Sequence, residues 1–172
     1  MIDSERKPVR LDGYDYSENG AYFVTICTKN RAEVLCVGAN LSLRESYIAR
    51  PPSAHESMPL SDVGEIVKNA IARITTAYPM VVVNKYVIMP NHIHMIIFIE
   101  TIVGNDGRAM RAPKLSTVIN QMKGYATKQI GYPIWQRSFH DHIIRNESDY
   151  RRIWRYIDEN PAKWHEDIYY SE

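Results

Sequence analysis

Two histidines two residues apart, His92 and His94, stand inside a hydrophobic run. Lys85 to Glu100 reads KYVIMPNHIHMIIFIE, two apolar stretches joined by Pro90-Asn91. Apolar runs of this length, rich in Val and Ile and split by a Pro-Asn turn signal, predict two strands. Side chains alternate faces along a strand, so both imidazoles emerge on one face within reach of one small object. Polar rings in so apolar a setting need partners. Either a metal ion holds both, or they are core histidines hydrogen-bonded to the backbone.

A second pair of chemistry-bearing residues lies downstream. Tyr125 and Gln129 are four apart in QMKGYATKQI, on a stretch that predicts a helix over Leu115–Ile130, with Lys123 and Lys128 beside them. That spacing places both on one helix face. If the helix crosses the histidine strand, two imidazoles and an amide oxygen make a mixed N/O site. Such a site leaves coordination positions open and suits Mg2+ or Mn2+. A metal there polarises a phosphodiester, and Tyr125 becomes the attacking nucleophile. In isolation, Tyr125 reads as a half-exposed aromatic of the helix surface.

The elements that must position these residues follow from local patterns. Ala21–Thr28, AYFVTICT, predicts a strand introduced by Asn19-Gly20. Ser61 caps a helix whose apolar positions Ile66, Ala70, Ile71 and Ile74 recur at helical spacing and which stops at Tyr78-Pro79. Strands follow over Val81–Met89 and through the histidines. Thr101–Pro113 reads as a flexible linker, and the tyrosine helix has Ser116 as its cap and Gly131 as its stop. Ile134–Arg145 predicts a strand and Ser148–Glu159 a helix closed by Asn160-Pro161 and anchored by Trp154 and Trp164. Met1–Asn19 reads as an ordered arm, Val34–Leu43 as a short hairpin broken at Gly38-Ala39-Asn40, and Arg50–Pro59 as a loop.

Strand, helix, strand, strand, helix, strand is the order of an α+β, ferredoxin-like split βαβ fold. It has an antiparallel sheet with helices on one face, and the last helix is an appendix. The 172 residues form one domain, with an arm over 1–20, a core over 21–133 and a C-terminal strand-and-helix extension over 134–172.

The net charge is only +1, but its distribution is uneven. Between Arg108 and Arg155 ten basic residues face three acids, an excess of +7, the footprint of a phosphate-binding face or a set of solvated helix faces. Cys27 and Cys36 lack CxxC spacing, and the chain shows neither a secretory leader nor an apolar run long enough to span a membrane.

The histidine triplet on a strand, with Tyr125 and Gln129 on a later helix, resembles the single-tyrosine HUH transposases. The resemblance is closer to the REP-associated tyrosine transposases. It extends through GAYFVTICTKNR, YVIMPNHIHMII and WQRSFHDHIIRNESDYRRIWRYIDENPAKW, the last block being the most specific. It implies a single-stranded DNA endonuclease and strand transferase acting on hairpin DNA through a 5′-phosphotyrosine. His92, His94 and Gln129 would hold Mg2+ or Mn2+, and Tyr125 would be the nucleophile. It also implies a monomer of the bacterial cytoplasm, associated with the nucleoid. Lys123, Lys128, Arg137, Arg145, Arg151 and Arg152 are the candidate phosphate contacts. His140 and His142 belong to the terminal block and read as structural or DNA-contacting. The competing readings are a catalytically silent DNA-hairpin binding protein and a domain whose histidines are merely core.

Overall fold

The computed structural model describes residues 19–37, 58–103, 109–110 and 112–170. The expected N-terminal arm, the Gly38-Ala39-Asn40 break, most of the Arg50–Pro59 loop, and Arg108 and Arg111 lie outside the described residues. Strand β1 (Gly20–Cys27), helix α1 (Asp62–Ala77), strands β2 (Val81–Met89) and β3 (His92–Ile99), helix α2 (Leu115–Ile130), strand β6 (His140–Ile144) and helix α3 (Glu147–Glu159) form the body. Two short strands, β4 (Ile102–Val103) and β5 (Ala109–Met110), pair with each other inside the expected linker. Among the described residues the main sheet is four-stranded and antiparallel, in the order β2-β3-β1-β6, the ferredoxin-like arrangement.

Local chemistry sets the helix ends. Ser61 caps α1 by accepting from Gly64 N at 3.1 Å while donating to Val34 O at 2.6 Å. Gly131, at φ +88°, stops α2 in the left-handed conformation that glycine adopts without a Cβ penalty. The expected Ser116 cap is not used: Lys114 occupies the N-cap position and Ser116 lies inside the helix. The stretch expected as one strand over Ile134–Arg145 is a strand only at His140–Ile144, with an isolated bridge from Trp135 to Thr28. Asn146 caps α3 by accepting from Asp149 N at 2.9 Å.

Alternation along the strands divides the hydrophobic residues between two faces. One face carries Tyr22, Val24 and Ile26 of β1 with Ile93, Met95, Ile97 and Ile99 of β3, packed under Val67, Ile71 and Ile74 of α1 and Val118, Ile119 and Met122 of α2. Each fully buried aliphatic side chain there contributes about 1.5–3 kcal/mol relative to exposure. The other face carries Val87, Met89 and Ile96, packed against Ile153 and Ile157 of α3 and Trp164. The C-terminal helix is therefore the second cover of the sheet, and β3 is buried on both sides. Trp164 is buried in this cover, whereas Trp154, expected as an anchor, sits at its rim with the Lys85 ammonium 4.2 Å from its ring centre.

Candidate active site

His92 and His94 emerge on the α3 face of β3, 0 % and 1 % exposed. Their Nε2 atoms face each other at 3.0 Å. Neighbours fix both rings. Asn91 donates Nδ2 to Tyr169 O at 2.7 Å, which leaves its Oδ1, 2.9 Å from His92 Nδ1, to accept a proton from that nitrogen. His92 Nε2 is then a lone pair turned toward His94. Thr25, directly across from His94 in the sheet register, places its hydroxyl 2.8 Å from His94 Nδ1. A hydroxyl both donates and accepts, so it supports either tautomer of His94. Burial holds both imidazoles in the neutral, ligating form: it lowers His92 to about 3, helped by the Arg31 charge, and carries His94 well below its ordinary value.

The next residues at this centre come from the C-terminal part of the chain. The Tyr156 hydroxyl of α3 is 3.2 Å from His94 Nε2 and donates to Asp167 Oδ2 at 3.4 Å. Asn160 Nδ2 donates to the same carboxylate oxygen at 3.0 Å, and Tyr169 N donates to Oδ1 at 2.7 Å. Burial first, and then the Asp167 charge, push the Tyr156 phenol up to about 12. The rings of Tyr169, 4.6 Å from His92, and Trp164, 5.8 Å from it, roof the pair.

The donor set fits a divalent cation. One ligand atom from each of His92, His94 and Asp167 lies within 4.8 Å of the others. Adjacent ligand atoms about 2.1 Å from an octahedral ion stand about 3.0 Å apart, the separation found between the two Nε2 atoms. Asn160 Oδ1 is buried with no hydrogen-bond partner among the described residues. A buried amide oxygen left unsatisfied is costly unless a cation completes it.

The structure does not bring Tyr125 or Gln129 to the histidines. Both are on α2, across the sheet from the imidazoles. The Tyr125 ring packs against the core of α1 and α2 under the Arg73 guanidinium, 4.4 Å away, and Gln129 is exposed. The two helices of the βαβ unit cover the odd-numbered face of β3, while His92 and His94 occupy the even one. Lys123 is also placed otherwise than expected. It is 7 % exposed, and its ammonium donates to the carbonyls of Gln136 at 2.6 Å and of Arg137 and Ser138 at 3.4 Å, so it braces a loop from within. Lys128, Arg137, Arg145, Arg151 and Arg152 are exposed.

A signal for the missed residues was present in the sequence. Tyr156 and Asn160 have the same tyrosine-to-amide spacing of four as Tyr125 and Gln129. It occurs in the helix read as an appendix, and Asp167 follows in a turn with no pattern of its own.

No family model matches the chain. It is 32 % identical, over 97 % of its length and 94 % of the relative's, to a protein of Haemophilus influenzae described as uncharacterized. It is 26 % identical to the REP-associated tyrosine transposase of Escherichia coli K12, over 86 % of this chain and 70 % of that one. The solved structure of a REP-associated tyrosine transposase bound to a REP hairpin shares the fold, with a TM-score of 0.57 and 23 % identity over 90 % of this chain and 74 % of that chain. Sequence likeness along most of the chain and the common fold agree: the chain is similar to the REP-associated tyrosine transposases.

Proposed function

We propose that the protein is a metal-dependent, tyrosine-nucleophile endonuclease and strand transferase for single-stranded DNA that carries a hairpin. The observation that carries this reading is the Tyr156 hydroxyl 3.2 Å from His94 Nε2, in a cluster of two neutral imidazoles and a carboxylate. His92, His94 and Asp167 would hold the cation, with Asn160 Oδ1 beside them. Two imidazoles among oxygen donors favour Mn2+ over Mg2+. When bound, the cation supplies Lewis-acid polarisation of a phosphodiester oxygen.

Tyr156 does the covalent work. A phenol pushed up to about 12 is protonated at neutral pH, so it must lose its proton as it attacks. Asp167 Oδ2, already its hydrogen-bond acceptor, is placed to receive that proton. The Oη–P bond forms, the P–O3′ bond breaks, and the departing 3′ oxygen takes a proton from water. The products are a 5′-phosphotyrosine and a free 3′-hydroxyl, and attack of a 3′-hydroxyl on the phosphotyrosine reverses the step and joins strands. Asn91 and Thr25 hold the imidazoles in orientation throughout. A second reading is a hairpin-binding protein that does not cleave. The full burial of both histidines favours it, because a phosphodiester reaches them only if the cover formed by Trp164 and Tyr169 moves.

Single-stranded DNA with a palindrome and a flanking strand, incubated with Mn2+ or Mg2+, separates these readings. The wild type and Tyr125→Phe are expected to form a covalent protein–DNA adduct that disappears in Tyr156→Phe and in chelator. An adduct that survives in Tyr156→Phe overturns the assignment of the nucleophile. Hairpin binding without adduct under either metal supports the second reading.

A further inference from the structure

Asp149 lies in the first turn of α3, where a carboxylate complements the helix dipole. Both its oxygens are nevertheless taken by other side chains. Oδ2 accepts from His142 Nε2 at 2.7 Å and Oδ1 from Arg152 Nη2 at 2.6 Å. The Asp149 side chain is 16 % exposed, against 51 % for His142 and 70 % for Arg152. A sheltered carboxylate thus holds two outward-facing nitrogen donors in fixed relation.

This cluster adjoins the tyrosine. His142 pairs with Phe23 in the sheet register, and the Phe23 ring lies 5.2 Å from His94 and 6.0 Å from Tyr156. Arg152 and Tyr156 are four apart on α3, a rise of about 6 Å, comparable to the spacing of neighbouring phosphates along an extended strand. A shallow depression of about 670 Å3 along this side of α3 is lined by Ser148, Arg152, Arg155 and Tyr156. Two acids line it as well, and both are paired: Glu147 with Arg151, another lining residue, at 2.8 Å and Glu159 with Lys163 at 2.6 Å.

We propose that His142 and Arg152, held by Asp149, clamp the backbone phosphate of single-stranded DNA next to the bond that Tyr156 attacks. This rests on the strand-transferase reading for the identity of the attacked bond, while the binding itself does not depend on cleavage. A guanidinium anchored by one nitrogen keeps further N–H groups for a phosphate oxygen, and preorganisation lowers the entropy lost on binding. Asp149 is a positioning residue, and Arg152 is a contact through its remaining N–H groups. His142, whose Nε2–H is given to Asp149, is a contact through Nδ1–H in its imidazolium form.

The test measures binding of a single-stranded oligonucleotide to the full-length chain in chelator, across a range of salt concentrations. Arg152→Ala is expected to weaken binding about tenfold and to reduce the salt slope by about 0.7. His142→Gln, which leaves the α3 cap and the Asp149–Arg152 pair intact, also weakens it. Asp149→Asn is the decisive variant. It makes the groove more positive, so a diffuse basic face binds more tightly, whereas a clamp that has lost its holder binds more weakly. Tighter binding by Asp149→Asn overturns the proposal. If that variant does not fold, wild-type affinity in both Arg152→Ala and His142→Gln overturns it instead. Absence of any covalent adduct, with these binding effects present, removes the cleavage reading and leaves the clamp.

Discussion

The Thr25 hydroxyl stands 2.8 Å from His94 Nδ1, across the β1–β3 register that pairs the two residues directly. The ring that presents Nε2 to the site is therefore fixed from the neighbouring strand. In Thr25→Val the shape is kept and the hydrogen bond is lost, which frees the ring to turn and leaves Nδ1 unsatisfied. Metal affinity is expected to fall about 10- to 100-fold, measured by calorimetric titration with Mn2+. Unchanged affinity would show that the cation is not held through His94.

Asp167 gathers Tyr156, Asn160 and the backbone of Tyr169 at one carboxylate. Asp167→Asn keeps the shape and removes both the charge that a cation needs and the base that takes the phenolic proton. We expect weaker Mn2+ binding together with loss of adduct formation. A variant that binds Mn2+ as the wild type does and still forms adduct would place ligand and base elsewhere.

The metal-free protein should lose stability in acid. Burial holds His92 down at about 3 and His94 well below its ordinary value, whereas in the unfolded chain both titrate near ~6.5. Their contribution is fully present above the unfolded value. It is lost as pH falls from about 6.5 toward 3, by roughly 1.4 kcal/mol per pH unit per ring. In chelator, the urea midpoint should therefore drop steadily from pH 7 to pH 4.5. His92→Gln should flatten that slope, and a slope equal to the wild type's would refute the assignment.

The fold was largely legible because it is written in short-range patterns. The alternation through YVIM and HIHMIIFI, the Ser61 cap and the Gly131 stop each depend on neighbouring residues alone. The same alternation put His92 and His94 on one face. Which face it was, and what covered it, depended on α3, whose pattern reveals an amphipathic helix and nothing about its destination. From the sequence alone the nucleophile is Tyr125, because a ferredoxin-like sheet is expected to lay its βαβ helices across the histidine strand. The two helices instead share the opposite face with Ile93 and Met95. Asp167 lies in a turn closed by local hydrogen bonds to Trp164 O and from Tyr169 N and Tyr170 N. What brings its carboxylate to the histidines is the folding of that turn back onto Tyr156 and Asn160 of α3, which no local pattern signals.

Lys123 tests the difference between charge in a sequence and charge on a surface. Its ammonium serves three loop carbonyls, and burial lowers its pKa. Lys123→Met fills the space but leaves those carbonyls without their donor, at a cost of about 1–3 kcal/mol. The thermal midpoint should fall while the folded variant keeps its affinity for single-stranded DNA. Weaker DNA binding at an unchanged midpoint would return Lys123 to the phosphate-contacting face.

Two glycines in helices give opposite predictions. A Cβ on Gly64 would run into the backbone carbonyl of Leu35 and stand 3.1 Å from Leu60 Cβ, whereas one on Gly124 meets nothing within 4 Å. Gly64 sits in the first turn of α1, where Leu35 O accepts from Ser61 N at 3.1 Å, so the neighbouring chain is held by hydrogen bonds and has little room to retreat. Gly64→Ala should therefore destabilise by about 1–3 kcal/mol through overpacking, despite alanine's better helix propensity. Gly124→Ala keeps only the propensity gain, up to about 1 kcal/mol, a rise in thermal midpoint of about 2–4 °C for a chain of this size. Equal shifts in both variants would mean that α1 does not approach the Leu35 segment as closely as the packing around Ser61 requires.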